Sequence, residues 1–293
     1  MLGEIRGEVR FKEPLSFHTS LRIGGPADIF IVPQDVEDIR LALSFAEREQ
    51  LSLDVIGGGN NLLVSDRGVR GVVLKLEGCL GRAEFNGEEA VAGAGVSLSA
   101  LIREAAALNL GGIECLVGVP ATVGGAVAMN AGTADGGIGD FISAVYFLYP
   151  DGTLGEFKPG AGSFSNRTFT APAGAVLIGA RLQLHRRPFA EIQRDIKQRL
   201  KQKKSTQPLA LASVGCVWKN PPGEAASRLI EKVGLRGKRL NGAEISAKHA
   251  NFIVNRGGAA ASDIKALMQL TLERVRNHFG ITLEPEMKTL GEI

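Results

Sequence analysis

A run of 20 residues without a charge, 115–134, constrains this chain more than any other feature. If helical and apolar throughout, it would be long enough to cross a bilayer. It carries Gly118, Pro120, Gly124, Gly125, Asn130 and Gly132, however, and such a backbone cannot form a helix with its polar groups satisfied against lipid. The segment is therefore expected to be packed and loop-rich, with no membrane span. The rest of the composition agrees: 293 residues, a net charge of +3, 22% charged and 44% hydrophobic residues describe a soluble globular protein of two or three domains, not a disordered chain or a fibre. At this length roughly three quarters of the unfolded surface can be buried, so no disulfide or structural zinc is needed. Cys79, Cys115 and Cys216 are odd in number, far apart and without CxxC spacing, which fits a reducing cytoplasm. The opening stretch MLGEIRGEVRFKEP has no apolar core for a signal peptide and lacks the Arg/Ser-rich, acid-poor bias of a transit peptide, so neither is expected.

The only basic run is KQKKSTQP at 201–208, and aromatics make up 5% of the chain with none interleaved there. A solvated helix end and linker is the better reading, and no nucleic-acid partner is expected. Of the four histidines, none has HxH or HxxxH spacing, so no metal is expected; His249 in KHANFIVN is the most interesting of them.

Periodicity predicts a β-α-β opening: a strand at 28–32, a helix capped by Asp35 with Val36, Ile39, Leu43 and Ala46 on one face, and a strand at 51–56. A strand at 71–76 follows. A helix capped by Ser97 carries Leu98, Leu101, Ile102 and Ala105 and is stopped by Gly111 and Gly112. Beyond the uncharged segment, strands are expected at 142–149, in LGEFK after a PDGT turn, and at 175–184. A polar helix over 189–203 leads to a boundary near 200–210. Further helices are expected at 224–233, and from a Ser262 cap to Phe279, with strands at 251–255 and in ITLEPEM. The fold class is α+β. The expected domains are 1–80, 81–205 and 206–293.

Gly57, Gly58 and Gly59 follow a strand directly. Absent Cβ atoms there let backbone N–H groups approach an anion and permit positive φ, the geometry of a phosphate cradle. A tight turn is the plain alternative. The loop is not a P-loop, and Leu62 replaces the last glycine of GxGxxG. The second cluster, GVPATVGGAVAMNAG at 118–132, has four glycines and one amide, Asn130, and can contact an extended ligand through its main chain. Two such clusters suggest a ligand with a diphosphate and a large planar part. In SVGCVWKNP, Cys216 stands three residues before Lys219; a thiol that stays protonated at neutral pH can donate a proton, whereas a buried structural cysteine is the plain reading, kept for Cys79 and Cys115. Arg167 is either solvated or a bidentate carboxylate clamp. Glu284 and Glu286, two apart on an expected strand, share a face as surface charge or as paired acids.

Seven segments in order resemble the UDP-N-acetylenolpyruvoylglucosamine reductase family of bacterial peptidoglycan and cell-wall synthesis: HTSLRIGGPAD, IGGGNNLLVSDRG, GVPATVGGAVAMNAG, GCVWKNP, ASRLIEKVGLRG, KHANFIVN and LEPEMKTLG. The resemblance implies an FAD-binding fold of the vanillyl-alcohol oxidase type, in two α+β subdomains, followed by a C-terminal α+β substrate domain. It implies noncovalent FAD, with Gly57, Gly58, Gly59, Asn60, Asn61 and Leu62 at the pyrophosphate and Gly118, Val119, Pro120, Thr122, Gly124, Gly125, Asn130 and Gly132 along the rest. NADPH is the implied reductant and UDP-N-acetylenolpyruvoylglucosamine the substrate, in a cytoplasmic monomer.

By the same resemblance, Cys216 matches the proton donor, Arg167 the arginine that meets the substrate carboxylate, and Glu286 a glutamate that assists as an acid or hydrogen-bond donor. Lys219, Asn220 and Asn251 match substrate contacts to diphosphate and sugar. The chain departs from the family in having Cys where Ser is usual at 216, and in having Asn166 before and Phe169 two after Arg167 in place of Tyr and Ser. With only Tyr146 and Tyr149, it resembles the shorter subtype. A noncatalytic FAD or UDP-sugar binding protein and a flavin oxidase of the same fold are the rival readings.

Overall fold

The computed structural model describes residues 2–133, 135–165 and 167–292. The chain forms two units from interleaved segments: unit 1 is Met1–Phe11, Ile29–Gly58 and Gly71–Gln202, and unit 2 is Lys12–Asp28, Gly59–Arg70 and Lys203–Ile293.

Unit 1 has two cores. In the first, helix α1 (Val36–Arg48) begins where the Asp35 carboxylate accepts the Glu37 and Asp38 N–H groups, as its capping position predicts. Its apolar face, Ile39, Ala42 and Ala46, is buried with Ile31, Val72 and Leu74. The sheet beneath is ordered Glu8–Pro14, Pro26–Val32, Val69–Lys75, Leu53–Ile56. The last two strands are parallel, with Leu53 opposite Val72, so the strand after α1 does not lie beside the strand before it.

The second core lies against an antiparallel sheet ordered Leu154–Phe157, Ile142–Leu148, Val176–Gln183, Glu89–Gly93, Ala83–Asn86. Helix α2 (Leu98–Ala107) buries the four residues its spacing singles out, Leu98, Leu101, Ile102 and Ala105. Its ends differ from expectation. Ser97 occupies the N-cap, but its hydroxyl lies 2.9 Å from that of Ser99. The helix stops at Ala107 because Asn109 takes the left-handed conformation, φ 60°, and Gly111 then enters a short strand paired with His185–Arg186. Helix α3 (Val123–Ala128) lies in the uncharged segment, and helix α4 (Phe189–Thr206) runs through the basic stretch.

Unit 2 has a sheet ordered Ala212–Cys216, Phe252–Asn255, Ala243–Ile245, Arg239–Leu240, with helices α5 (Ala226–Lys232) and α6 (Ala261–Phe279). Its core joins Val217, Trp218, Leu229, Ile253, Ile264 and Leu267 to Leu21, Ile23 and Leu63 from far earlier in the chain. The N-cap of α6 is Ala260, not Ser262. The cap is made instead by Asp263, which accepts the Ala260 N–H at 2.9 Å, and by Asp66, whose carboxylate accepts the N–H groups of Ala261 (2.7 Å) and Ser262 (3.0 Å).

ITLEPEM is not a strand. It makes one isolated bridge, Trp218 to Pro285, and the strand begins only at Lys288–Leu290, parallel to Leu62–Val64. Pro285 has no N–H to continue a ladder. This pairing is also why residues 59–70 group with the C-terminal residues, a division that the contiguous domains 1–80, 81–205 and 206–293 do not have. Among the described residues, no helix is long and apolar enough to cross a membrane, and no cluster of three or more His, Cys, Asp or Glu could hold a metal.

Candidate active site

In unit 1 the two glycine clusters meet. A Cβ on Gly57 would lie 2.4 Å from Thr122 Oγ1, so any larger residue would have to displace the hydroxyl at the start of α3. Thr122 caps that helix by accepting the Gly125 N–H at 3.2 Å, while Val123 and Gly124 donate to the carbonyls of Val96 (2.8 Å) and Ala94 (2.9 Å). A cavity of about 210 Å³ opens here, lined by Gly57, Thr122, Gly124, Gly125, Phe147 and Phe169 among others. Its wall is mainly apolar, the environment of a flat aromatic group held by a few main-chain contacts.

Asn130, at φ 39°, ends this segment. Its amide donates to the Ser165 carbonyl at 3.0 Å and accepts the Gly139 N–H at 3.1 Å, pinning the Phe164–Ser165 strand. Arg167 sits in that hairpin at φ 60° and donates to the Gly132 carbonyl at 2.9 Å. Arg167, Asn130 and Gly132 are thus brought together in unit 1; Asn166 lies outside the described residues. Phe169, at the position where the family has Ser, is buried against Phe164 (centroids 4.7 Å apart) and stacked with Phe147, which makes it part of the core. Gly118 adopts φ 73°, and Val119, before Pro120, packs on the same core.

In unit 2 Cys216 closes the Ala212–Cys216 strand opposite Phe252. The register shifts between Ser213 and Cys216, and Gly215 takes φ 85°, a bulge that re-aims the strand end. Cys216 is half-buried. The next residues run beside the terminal segment: Lys219 donates to the Glu284 carbonyl at 2.9 Å and Glu286 donates to the Val217 carbonyl at 2.8 Å. Cys216 and Glu286, distant in sequence, therefore stand on neighbouring stretches of main chain.

The glycine loop joins them from the other side. Ser20 N–H donates to Gly59 O at 3.1 Å, and half-buried Asn60 leads to Asn61, whose carbonyl accepts the Lys288 N–H at 3.0 Å. Leu62 pairs with Lys288. Ser20 also donates through Oγ to the Ser213 carbonyl at 2.7 Å, tying HTSLRIGGPAD to the strand that ends in Cys216.

The three residues expected to contact substrate all have partners within the protein. Asn251 is 2% exposed, donates to the Trp218 carbonyl at 2.8 Å and accepts the Trp218 N–H at 2.9 Å, and so clamps the 216–219 segment. Asn220 accepts the Ala226 N–H at 3.0 Å and starts α5. Lys219 Nζ is 3.4 Å from Glu284 Oε2, which makes Glu284 an ion-pair partner. His249 stands edge-on to Phe252 at 4.9 Å, and burial pushes its pKa down, so the ring is neutral at neutral pH. Cys79 and Cys115 keep the plain reading: both are buried, and burial raises Cys79 to about 11 and Cys115 in the same direction.

Asp66 and Ser20 were not legible as site-building residues. Both lie in recognisable segments, but their partners are about 195 positions away, and no local spacing reports such a contact.

The chain matches an FAD binding domain over residues 27–158 and the C-terminal domain of UDP-N-acetylenolpyruvoylglucosamine reductase over residues 207–290. It is 44% identical to the UDP-N-acetylenolpyruvoylglucosamine reductase of Anaeromyxobacter sp. (strain Fw109-5) over 98% of this chain and 90% of that one. Identity to the reductase of Moorella thermoacetica is 41%, over 97% and 94% of the two chains. The crystal structure of the Thermus caldophilus reductase aligns with a TM-score of 0.83 at 36% identity, covering 98% of this chain and 99% of that one. A solvent-stable cholesterol oxidase, 17% identical with a TM-score of 0.51 over 63% of this chain and 38% of its own, shares the fold alone. On this evidence, the chain is α+β with an FAD-binding fold and belongs to the UDP-N-acetylenolpyruvoylglucosamine reductase family.

Proposed function

We propose that this chain reduces the enolpyruvyl double bond of UDP-N-acetylenolpyruvoylglucosamine to give UDP-N-acetylmuramate, using NADPH and noncovalent FAD, as a cytoplasmic monomer in peptidoglycan synthesis. The observation that carries the reading is the meeting of the Cys216 and Glu286 segments through the Glu286 to Val217 hydrogen bond, in a chain 44% identical to a reductase.

The residues present fit FAD. The cavity of about 210 Å³ is large enough for one flat ring system, and a Cβ on Gly57 would displace the Thr122 hydroxyl at its edge. Gly57 to Leu62 would hold the pyrophosphate through backbone N–H groups, and the 118–132 segment would line the rest. FAD, when bound, supplies the two-electron relay from NADPH to the alkene carbon distal to the substrate carboxylate.

The protein's own groups handle charge and protons. Hydride addition beside a conjugated carboxylate leaves enolate-like charge there, which fixed donors must stabilise. Arg167 supplies a delocalised cation with several N–H donors for this carboxylate. Glu286 assists in its protonated form, since a bare anion would oppose the developing charge. Cys216 gives its S–H proton to the remaining carbon, and the thiolate regains a proton from solvent. Lys219, paired with Glu284, meets the diphosphate, and Asn220 the sugar, while Asn251 holds Trp218 and thereby the strand end.

The test is product analysis: anaerobic incubation with NADPH and substrate in deuterium oxide, read by mass spectrometry and NMR. UDP-N-acetylmuramate with solvent deuterium at the carbon next to the carboxylate is expected. Recovery of unchanged substrate would contradict the reading.

A further inference from the structure

Glu286 lies outside the Lys288–Leu290 strand and follows a proline, so regular pairing does not fix it. Its main chain is nevertheless held on both sides. The N–H donates to the Val217 carbonyl at 2.8 Å, and the carbonyl accepts the side-chain Nδ2–H of Asn61 at 3.2 Å. Asn61 also grips the chain two residues on, where its own carbonyl accepts the Lys288 N–H at 3.0 Å. From there the Leu62–Val64 strand runs parallel to Lys288–Leu290, and Asp66 anchors the loop's far end on α6. A side chain with a donor at this reach is what the Glu286 carbonyl requires; an aliphatic residue would preserve the strand pairing and lose the bond.

We propose that Asn61 is a positioning residue for the reduction, its amide fixing the Glu286 main chain and so the place from which the Glu286 carboxyl group acts. This rests on the role proposed for Glu286. The resemblance put Asn61 on the cofactor; the side-chain bond gives it a second task on the substrate side. A shift of about 1 Å in a reacting group can cost on the order of 100-fold in rate, so loss of this bond should be visible in the step that uses Glu286.

The experiment uses purified holoenzyme and measures the two half-reactions separately by anaerobic stopped flow, for Asn61→Ala, Glu286→Gln and the double variant. With Asn61→Ala, measured on the FAD-loaded protein, reoxidation by UDP-N-acetylenolpyruvoylglucosamine should slow by about 10- to 100-fold more than flavin reduction by NADPH does. The double variant should reoxidise no more slowly than Glu286→Gln alone, because a residue acting through another loses its effect once that partner is removed. Amide hydrogen exchange over residues 283–290 should rise in Asn61→Ala, a readout independent of turnover.

Additive slowing in the double variant, or matched slowing of both half-reactions, overturns the proposal. Should Asn61→Ala lose FAD, Asn61→Asp, which keeps the size and loses the donor when ionised, decides: retained FAD with slowed reoxidation supports the assignment, and lost FAD overturns it. If Glu286→Gln slows reoxidation and neither Asn61 variant does, Asn61 alone is misassigned. If Glu286→Gln leaves reoxidation unchanged, the role of Glu286 fails and the positioning role falls with it.

Discussion

The backbone N–H of Glu286 donates to the carbonyl of Val217 at 2.8 Å, one residue from Cys216. Two residues with complementary proton-handling chemistry are thus carried on adjacent main chain, with Asn251 clamping Trp218 on one side. If that arrangement is the substrate half of the site, Glu286→Gln should slow flavin reoxidation by substrate by about 10²- to 10⁴-fold and leave reduction by NADPH nearly unchanged. Equal slowing of both half-reactions, measured by stopped flow, would remove the residue from the substrate side.

Cys216 can be tested by matched replacements. Serine keeps a proton on the same atom position, so Cys216→Ser should retain appreciable turnover, while Cys216→Ala should lose about 10²- to 10⁴-fold. Steady-state rates at saturating NADPH give the comparison, and equal rates in both variants would exclude proton donation by this side chain.

The same cysteine should also stand apart chemically. Cys79 and Cys115 are 1% and 8% exposed, and burial pushes both thiols up, Cys79 to about 11. Reaction follows thiolate character and access. Titration of the native protein with a thiol-specific disulfide reagent should therefore show one fast group per chain, absent in Cys216→Ser and slowed by substrate; two or three fast groups would contradict the burial of the others.

Stability in acid should depend on Asp38, which is fully buried at the start of α1. Burial acts to raise its pKa, but the N–H groups of Gln34, Arg6 and Gly7 and the Arg6 guanidinium outweigh it and hold the carboxyl below its ordinary value. A depressed folded-state pKa gives stability that is present above the unfolded value, about 3.9, and lost as pH falls through the folded one. Asp38→Ala leaves three main-chain donors without their acceptor, at 2.8 to 3.0 Å in the native protein. It should cost about 2–4 kcal/mol at neutral pH and flatten the loss of thermal midpoint below about pH 4.

Local signals read well from the sequence. Asp35 begins α1, and the α2 face is the one its spacing marks. Long-range pairing did not read. Asp66 caps a helix 195 residues on, and Asn61 reaches a carbonyl 225 residues away; neither leaves a periodic trace. The same cause displaced the terminal strand. ITLEPEM alternates like a strand, yet its main chain meets Val217 and Lys219 without forming a ladder, and strand pairing begins at Lys288 because Leu62–Val64 lies there. Asn251, polar and in a family segment, gives no sequence sign of its burial or of its two bonds to Trp218.

The most direct measurement is anaerobic: the purified yellow protein is mixed first with NADPH and then with UDP-N-acetylenolpyruvoylglucosamine while the flavin absorbance is followed. The flavin band should bleach with NADPH and return on addition of substrate, one equivalent of UDP-N-acetylmuramate forming for each flavin reoxidised. A band that bleaches and recovers only when oxygen is admitted would contradict the account.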